Sequence, residues 1–230
     1  MRAIFVTGTD TGVGKTVICG LLGRFLSDKG YNVITQKWVQ SGSGSFPKDI
    51  DSHLKLMGLT RRDVKDYLSH ISPYSYRFPA SPHLSADLEN KKISSARIKK
   101  SFRFLAKRFD FVIVEGSGGA LVPINRKKLL IDIAKDLKLP VLVVAGNKLG
   151  AINHTLLTIE AIRVRRMKIA GVIFNDLSKK TAEMILKDNP DIVKALTGER
   201  ILGRLPWMKD KDSLYEAFIP KGERIKWIAG

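Results

Sequence analysis

The residues from Gly8 to Thr16 combine glycines, threonines and one lysine in an order that suits a bound phosphate group. They follow a short apolar run, Ala3–Val6, and precede a helical pattern of apolar residues that begins at Val17. In this context the loop N–H groups and the helix N-terminus face the anion, and Lys15 adds positive charge. The Thr16 hydroxyl can bind Mg²⁺. The segment therefore predicts a nucleotide-binding loop.

This loop is a variant of the strict phosphate loop. The strict pattern, G-x-x-x-x-G-K-[ST], requires glycine at position 9, where this chain has threonine, and a glycine stands one residue earlier. A glycine-rich turn without a ligand is the alternative for such a segment. Gly12, Gly14, Lys15 and Thr16 after a β-rich run favour the nucleotide-binding loop.

An acidic residue follows a short apolar strand in the middle of the chain. Phe111–Val114 is apolar and rich in β-branched residues, as expected for a buried strand of a parallel sheet. It ends at Glu115, and the glycine-rich residues 116–119 follow. An acid at the tip of such a strand, beside a phosphate loop, is the position from which Mg²⁺ is held. The alternative is an acid that merely ends a strand, and the glycine-rich continuation favours the metal site.

Two polar residues follow another strand, which is predicted over Tyr31–Thr35. Ligands of a doubly wound sheet bind at the carboxyl ends of its strands, so Lys37 and Ser41 are placed toward the same site. A solvated surface lysine is the alternative for Lys37.

A helix predicted over Asp49–Met57 has acids in its first turn. These acids either interact favourably with the helix dipole or point back at the metal of the nucleotide.

Strands and helices alternate along the chain, with further strands predicted over Pro140–Ala145 and Ile169–Phe174. This alternation predicts an α/β protein, a three-layer P-loop NTPase fold with a mostly parallel central sheet flanked by helices. We find no internal repeat and no linker, so we expect a single domain over residues 1–230. A helix is predicted over Ser178–Leu196, with a break near Pro190.

The composition excludes several other classes of protein. No apolar run approaches the roughly 20 residues of a membrane span, and the N-terminal apolar stretch is too short for a signal peptide. We therefore expect a cytoplasmic protein without a membrane partner. Cys19 is the only cysteine, so no internal disulfide can form, and its place on an apolar helix face predicts a buried, inert thiol. The four histidines, at positions 53, 70, 83 and 154, show no metal-ligand spacing.

The chain is strongly basic. Lysine and arginine number 40 against 22 aspartates and glutamates, which gives a formal net charge of +18. Nucleic-acid binding is one interpretation of such an excess, and a basic surface that attracts anionic substrates is the other. The basic residues are scattered rather than gathered into one stripe with interleaved aromatic residues. We therefore expect no specific nucleic-acid partner.

Seven motifs, taken together and in this order, relate the chain to a known family. They resemble those of dethiobiotin synthetase, the ATP-dependent ring-closing enzyme of biotin synthesis, over nearly the whole chain. The phosphate loop alone is shared by a large superfamily, whereas the motifs that begin at Lys37, Val114 and Lys148 are far more particular to this family. The motifs are VTGTDTGVGKT at 6–16, K-x-V-x-S-G at 37–42, SPYSY…PASPH at 72–83, VEGSGG at 114–119, KLG-x-INH at 148–154, Asn175-Asp176, and LG-x-LPW at 202–207.

The resemblance implies a reaction that requires ATP and Mg²⁺. One amine of 7,8-diaminononanoate takes up CO₂ as a carbamate, which attacks the γ-phosphate of ATP and becomes a carbamic-phosphoric anhydride. The second amine closes a cyclic urea, dethiobiotin, and phosphate is expelled with ADP as the other product. Such a reaction needs positioning and charge neutralisation more than a protein nucleophile.

The resemblance also implies residue roles by matching position. Lys37, Lys15 and Thr11 would act in catalysis, and Thr16, Asp51 and Glu115 would hold Mg²⁺. The implied nucleotide-binding residues are Gly12, Val13, Gly14, Lys15, Thr16, Val17, Asp51, Glu115, Gly116, Ser117, Gly118, Asn175, Asp176, Arg204, Leu205 and Pro206, and the implied substrate-binding residues are Thr11, Lys37, Ser41, Gly150, Ala151, Ile152 and Asn153.

In the family, the substrate carboxylate binds to the neighbouring subunit, at the helix start that matches Gly150–Asn153 of this chain. The resemblance therefore also implies a homodimer.

One metal-ligand assignment has an alternative. The loop after Ser41 is short, so Asp49 competes with Asp51 for the metal position. Asp51 is preferred because the residues that follow it fit the helix start of the family better.

The principal rival is a partition or positioning ATPase of the same superfamily, which would bind DNA or a membrane through its basic surface. Such proteins usually carry an additional lysine early in the variant loop. Here that region reads Thr9-Asp10-Thr11 and has no lysine, which favours the synthetase.

Overall fold

The computed structural model describes residues 2–44 and 46–225. The predicted domain of residues 1–230 therefore includes positions outside the described residues, at both ends and at residue 45. Eight strands run through the described chain, and two of them are only two residues long. They are β1 (Arg2–Gly8), β2 (Val33–Lys37), β3 (Val39–Gln40), β4 (Tyr74–Ser75), β5 (Phe111–Gly119), β6 (Val141–Asn147), β7 (Ile169–Asp176) and β8 (Ile201–Leu205).

Six strands form one sheet in the order β2-β5-β1-β6-β7-β8, and every pairing in it is parallel. The two short strands pair with each other outside this sheet. The predicted α/β fold with a parallel central sheet is confirmed. The helices are α1 (Lys15–Asp28), α2 (Lys48–Leu56), α3 (Leu68–Ile71), α4 (Pro82–Leu88), α5 (Ser95–Ala106), α6 (Leu130–Asp136), α7 (Ala151–Val164), α8 (Glu183–Thr197) and α9 (Lys211–Glu223), with a short 3₁₀ turn at Lys65–Tyr67.

Successive residues of the central strand pack into two different cores. Ile4 and Val6 of β1 join a cluster that includes α1 and α9, whereas Ala3 and Phe5 join a cluster that includes α5, α6 and α7. This alternation follows from the two-residue period of side chains along a strand. A sheet with helices on both faces needs apolar residues on both sides, which explains the continuous apolar runs of its inner strands.

The sheet register brings two charged residues together. Lys37, the last residue of β2, is the register partner of Glu115 in β5, and Val6 of β1 pairs with Glu115 from the other side. Because the strands are parallel, their carboxyl ends lie at one edge, where the loop after β1 also begins. The sheet alone therefore places the loop, Lys37 and Glu115 side by side.

Two glycines of α1 allow α2 to approach closely. A Cβ atom on Gly20 would lie 2.6 Å from Cδ1 of Leu56, and one on Gly23 would lie 2.6 Å from Sδ of Met57. Larger residues at these positions would push α2 away from α1. The close packing holds the polar face of α2 against the carboxyl ends of β2 and β5.

Helix α8 differs from its prediction, because it continues through Pro190 without a break. A proline inside a helix cannot donate to the carbonyl four residues earlier, which here is that of Leu186. The side-chain amide of Asn147 donates to this carbonyl instead, at 3.0 Å. Residues 69–85, which include three prolines, contain the end of α3, strand β4 and the start of α4. No helix in the described part of the chain is long and apolar enough to cross a membrane.

Candidate active site

The loop between β1 and α1 is shaped by a glycine with an unusual backbone. Gly14 caps α1 with a φ of 97°, a conformation that favours glycine. A Cβ atom there would lie 2.2 Å from Nδ2 of Asn175, whose amide donates to the carbonyl of Val13 at 2.9 Å. Asn175 at the end of β7 therefore holds the loop, and Gly14 leaves the space for this contact. The side chain of Val13 is buried in the core beneath.

Lys15 lies folded into the loop. Its Nζ atom donates to the backbone carbonyl of Asp10 at 2.8 Å, and the side chain is buried. Burial and the nearby charge of Lys37 lower the pKa of Lys15 to about 8. The ammonium therefore lies inside the loop, bound to the loop's own backbone.

Lys37 joins two carboxylates. Its Nζ atom lies 2.7 Å from Oε1 of Glu115 and 2.7 Å from Oδ2 of Asp49, and it also donates to the Gly116 carbonyl at 3.0 Å. Burial alone would lower the pKa of Lys37, but the charges of Glu115 and Asp49 outweigh it and raise that pKa. Lys37 is thus a buried cation of the site and not a solvated surface lysine.

The Glu115 carboxylate has hydrogen-bond donors on both oxygens. Oε1 accepts from Oγ1 of Thr16 at 3.0 Å as well as from Lys37, and Oε2 lies 2.7 Å from Nε2 of His53. Burial would raise the pKa of Glu115, but Lys37 and His53 lower it to about 2. Glu115 is therefore ionised at every physiological pH.

The acid from α2 that reaches this network is Asp49, not the preferred Asp51. Asp49 binds Lys37, whereas the Asp51 carboxylate pairs with the guanidinium of Arg61 on the surface. Residues two apart on a helix project about 200° from each other, so both cannot face one site. Asp49, the alternative acid, is therefore the first-turn acid of α2 that faces Lys37 in this structure, and Asp51 is not.

Sequence reasoning missed His53. It lies four residues after Asp49, so both side chains emerge from the same face of α2, and it is fully buried. The spacing rule for metal ligands could not find it, because Cys19, His53 and Glu115 are far apart in sequence but have ligand atoms within 4.8 Å of one another. The available signal was the four-residue spacing from an acid already assigned to the site.

A cleft of about 610 Å³ opens beside this network. The predicted substrate residues Thr11, Lys37 and Ser41 all line it. Apolar side chains from residues 79–82 and from the turn after β5 form much of the remaining wall. Its lining comprises Thr11, Lys37, Val39, Gln40, Ser41, Asp49, Pro79, Ala80, Ser81, Pro82, Ser117, Gly118, Leu121, Val122 and Pro123.

The predicted residues after Glu115 continue β5 into the cleft. Gly116 supplies the carbonyl that accepts from Lys37, and the Ser117 hydroxyl donates to the Val39 carbonyl. At Gly118 a Cβ atom would lie 3.4 Å from Oγ1 of Thr11, so the two segments meet at the cleft.

Two residues assigned to the nucleotide hold secondary structure together. The buried carboxylate of Asp176 accepts from Nδ2 of Asn147 at 2.8 Å and from Nε of Arg204 at 2.7 Å. Arg204 also donates to both carboxylate oxygens of Glu183. These side chains join β6, β7, β8 and α8. Leu205 is buried at the end of β8, Pro206 follows it, and Val17 packs against the core in α1.

The predicted carboxylate-binding residues lie outside this cleft. Gly150 caps α7 with a φ of 85°, Ala151 is buried, Ile152 is half-buried and Asn153 is exposed. Residues 150–153 do not belong to the cleft lining within the described chain. Leu149 beside them is 82% exposed. These residues therefore do not contribute to the cleft of this chain in the described part of the structure.

Comparison with known proteins identifies close relatives. A family model described as an AAA domain matches residues 2–213. The ATP-dependent dethiobiotin synthetase BioD of Halalkalibacterium halodurans is 40% identical over 214 residues, which cover 91% of this chain and 86% of that protein. The ATP-dependent dethiobiotin synthetase BioD 2 of Haemophilus influenzae is 36% identical over 188 residues, which cover 82% of this chain and 98% of that protein.

Solved structures with the same fold are more distant. A MinC:MinD cell division protein complex from Aquifex aeolicus aligns with a TM-score of 0.61 and 15% identity, covering 98% of this chain and 96% of that chain. A plasmid partition protein from Borrelia burgdorferi aligns with a TM-score of 0.62 and 17% identity, covering 98% of each chain. At these identities the likeness establishes the fold alone.

The strained glycine of the loop gives a first prediction. We expect Gly14→Ala to weaken nucleotide binding roughly tenfold or more, because a left-handed alanine costs about 1–2 kcal/mol and its Cβ would also displace Asn175. Titration with a fluorescent, non-hydrolysable ATP analogue measures the effect. Gly30→Ala is the matched control, because Gly30 lies outside the loop and has a φ of 84° but no described atom within 4 Å of its Cβ position. Equal weakening by both substitutions would contradict the role of the Asn175 contact.

Proposed function

We propose a role for each residue of this site on the premise that the chain belongs to the family of ATP-dependent dethiobiotin synthetases. That membership rests on curated relatives 36% and 40% identical over 82% and 91% of the chain. The activity is accordingly ATP-dependent synthesis of dethiobiotin, a ligase reaction. The observation that carries the residue assignments is the convergence of Lys37, Asp49 and Glu115 beside the phosphate loop.

The proposed substrate is 7,8-diaminononanoate. One amine adds to CO₂ and loses a proton, which gives a carbamate. A carbamate oxygen attacks the γ-phosphorus of ATP, ADP leaves, and a carbamic-phosphoric anhydride forms. The second amine attacks the carbonyl carbon and loses a proton, and phosphate leaves as the cyclic urea closes. The site residues have to position these groups and neutralise their charge.

Lys15 and the loop amides bind the phosphates in this proposal. The Lys15 ammonium exchanges the Asp10 carbonyl, 2.8 Å away, for a phosphate oxygen. The N-terminus of α1 adds its own N–H groups and dipole on the same side. Asn175, which holds the loop carbonyl of Val13, lies close to the phosphate loop and is assigned to the adenine edge.

The oxygen atoms of Thr16, Asp49 and Glu115 fit a magnesium ion. Mg²⁺ prefers oxygen ligands such as carboxylates. The Thr16 hydroxyl lies 3.0 Å from Glu115, and one ammonium is already shared between Glu115 and Asp49. Two carboxylates that converge on one cation have the donor set that a divalent cation requires. When bound, Mg²⁺ would neutralise charge on the phosphates.

Lys37 is assigned to the carbamate and the γ-phosphate. To reach them it releases Asp49 or Glu115 and turns its ammonium into the cleft that it lines. Two anions meet there, so a second cation besides Lys15 lowers the energy of their approach. The carboxylates that Lys37 leaves are those that the proposal assigns to Mg²⁺.

The cleft suits an aliphatic diamine. Its apolar wall, which includes Val39, Leu121 and Val122, fits a hydrocarbon chain, while Thr11 and Ser41 offer hydroxyl groups near Lys37. A mostly apolar pocket with a few polar groups at one end is the usual form of a small-molecule site. This arrangement supports binding of the diamine end beside the phosphate loop.

A homodimer would supply the remaining contact. Asn153 is exposed in the first turn of α7. Leu149, just before this helix, is 82% exposed, and Leu157 within it is 56% exposed. Leu121, which follows β5, is 51% exposed. Leu121 and Leu157 line one shallow cleft with Thr9 and His154. Exposed apolar groups of this kind mark interaction surfaces, which supports docking of a second subunit with its Gly150–Asn153 segment toward the cleft.

Sequence identity favours the synthetase over the partition-ATPase alternative. The solved partition and positioning proteins share the fold at only 15% and 17% identity. The curated synthetases are related at more than twice those identities, and the loop has no early lysine.

The separate roles of the two lysines give a testable prediction. Wild-type protein incubated with diaminononanoate, bicarbonate and Mg-ATP should form the cyclic urea, detected by mass spectrometry. Lys37→Gln should lower turnover about 100-fold or more while ATP-analogue binding changes little, because Lys37 acts on the developing charge. Lys15→Gln, the matched variant, should lose nucleotide binding. Absence of product from the wild type would overturn the assignment, and equal binding losses would refute separate roles.

The choice between Asp49 and Asp51 as the metal-binding acid can be tested by substituting each of them. Asp49→Asn should raise the Mg²⁺ concentration needed for half-maximal turnover at least about tenfold, because a carboxylate ligand is lost. Asp51→Asn removes only the exposed pair with Arg61 and should change it less than about twofold. Magnesium titrations of both variants decide between the two acids. The reverse order of effects would restore Asp51 as the ligand.

Complementation tests the shared site of a dimer. Lys37→Gln and Asn153→Leu should each be nearly inactive, but co-expressed heterodimers should carry one fully wild-type site. Random pairing would restore activity at about a quarter of the sites, since half of the dimers are mixed. Differently tagged chains allow the mixed dimer to be purified and assayed. A mixed dimer as inactive as its parents would show that each site is completed within one subunit.

A further inference from the structure

His53 is a fully buried histidine that contacts the site without reaching the cleft. It stands one turn after Asp49 on α2, and its Nε2 atom lies 2.7 Å from Oε2 of Glu115. Both side chains are almost completely excluded from water, at 0% and 1% exposure. The residue does not line the cleft, so direct contact with substrate is not its role.

The direction of this hydrogen bond follows from the state of Glu115. The Lys37 ammonium lies 2.7 Å from Oε1 of Glu115, and a carboxylate that is paired with an ammonium accepts hydrogen bonds on its other oxygen as well. Nε2 of His53 must therefore carry the hydrogen. The two oxygens are divided between donors, since Thr16 and Lys37 bind Oε1 and His53 binds Oε2.

The other ring nitrogen of this histidine lowers the stability of the fold. Nδ1 of His53 is buried and has no hydrogen-bond partner among the described residues. An unpaired buried polar atom destabilises a fold, and a leucine would avoid that cost. The imidazole is therefore best explained by its contact with Glu115.

We propose that His53 is a positioning residue that holds Oε2 of Glu115 so that Oε1 stays directed at Thr16 and the bound metal. This inference rests on the proposed role of Glu115 as a metal ligand. Carboxylates that bind metals are themselves held by hydrogen bonds, and loss of such a partner commonly lowers metal affinity about 10–100-fold. Without His53 the carboxylate can rotate about its last torsion, and Oε1 loses its fixed direction.

A buried metal centre of Cys19, His53 and Glu115 is the competing explanation, because their ligand atoms lie within 4.8 Å of one another. In this structure Nε2 of His53 and Oε2 of Glu115 lie 2.7 Å apart and are hydrogen-bonded to each other, whereas such a centre would direct both atoms at a cation. Stoichiometric zinc in purified protein, lost in Cys19→Ala, would overturn the proposal in favour of that centre.

The decisive experiment measures Mn²⁺ binding to the ATP complex by electron paramagnetic resonance. His53→Leu should weaken Mn²⁺ about tenfold or more, whereas His53→Gln, which retains an N–H donor, should recover most of the affinity. Binding of metal-free ATP should not change in either variant. His70→Leu is the matched control, since that ring stacks on Phe104 away from the site. Unchanged Mn²⁺ affinity in His53→Leu would overturn the inference.

A Glu115→Gln variant distinguishes a failure of the role of His53 from a failure of the proposed metal role of Glu115. If Glu115→Gln weakens Mn²⁺ and His53→Leu does not, only the role of His53 fails. If neither does, the metal role of Glu115 fails and the inference with it. Long-range ¹H–¹⁵N correlation spectra of the wild-type protein give a test that needs no variant to fold. A protonated Nε2 on His53 is expected, and an unprotonated Nε2 would refute the hydrogen bond.

Discussion

The buried ion pair between Lys37 and Glu115 is the contact on which the rest of the site depends. Ions removed from water destabilise a fold unless close partners compensate each of them. Here the register of β2 against β5 sets the pair, and Asp49, Thr16 and His53 complete it from two helices. Both helices must therefore lie close to the ion pair, which the glycine contacts between α1 and α2 allow.

The features that the sequence predicts correctly are set by short segments. The loop from Gly8 to Thr16 has a pattern of its own, and Lys37 and Glu115 each follow a recognisable strand. In a parallel sheet the carboxyl ends of strands share one edge, so three local patterns suffice to predict that these residues meet. The fold follows from the same alternation of strands and helices, and the curated relatives agree with the motif resemblance.

The features that sequence reasoning missed or left open depend on the rotation of an element about its own axis. Asp49 and Asp51 are equally good first-turn acids, and only the docking of α2 decides which one faces Lys37. The same rotation brings His53 to Glu115. Asp176 stands at the end of β7, a position typical of ligand-binding residues, and in this structure Arg204 and Asn147 bind its carboxylate. Such contacts join distant segments and leave no local pattern.

The proline within α8 has a consequence for how that helix is attached to the sheet. In an uninterrupted helix the Leu186 carbonyl would be occupied by a backbone N–H from the next turn. Because Pro190 has none, this carbonyl is free to accept from Asn147 at the end of β6, and Asn189 donates back to the same asparagine. A residue usually regarded as a helix breaker thus provides the attachment point by which a peripheral helix is fastened to the central sheet.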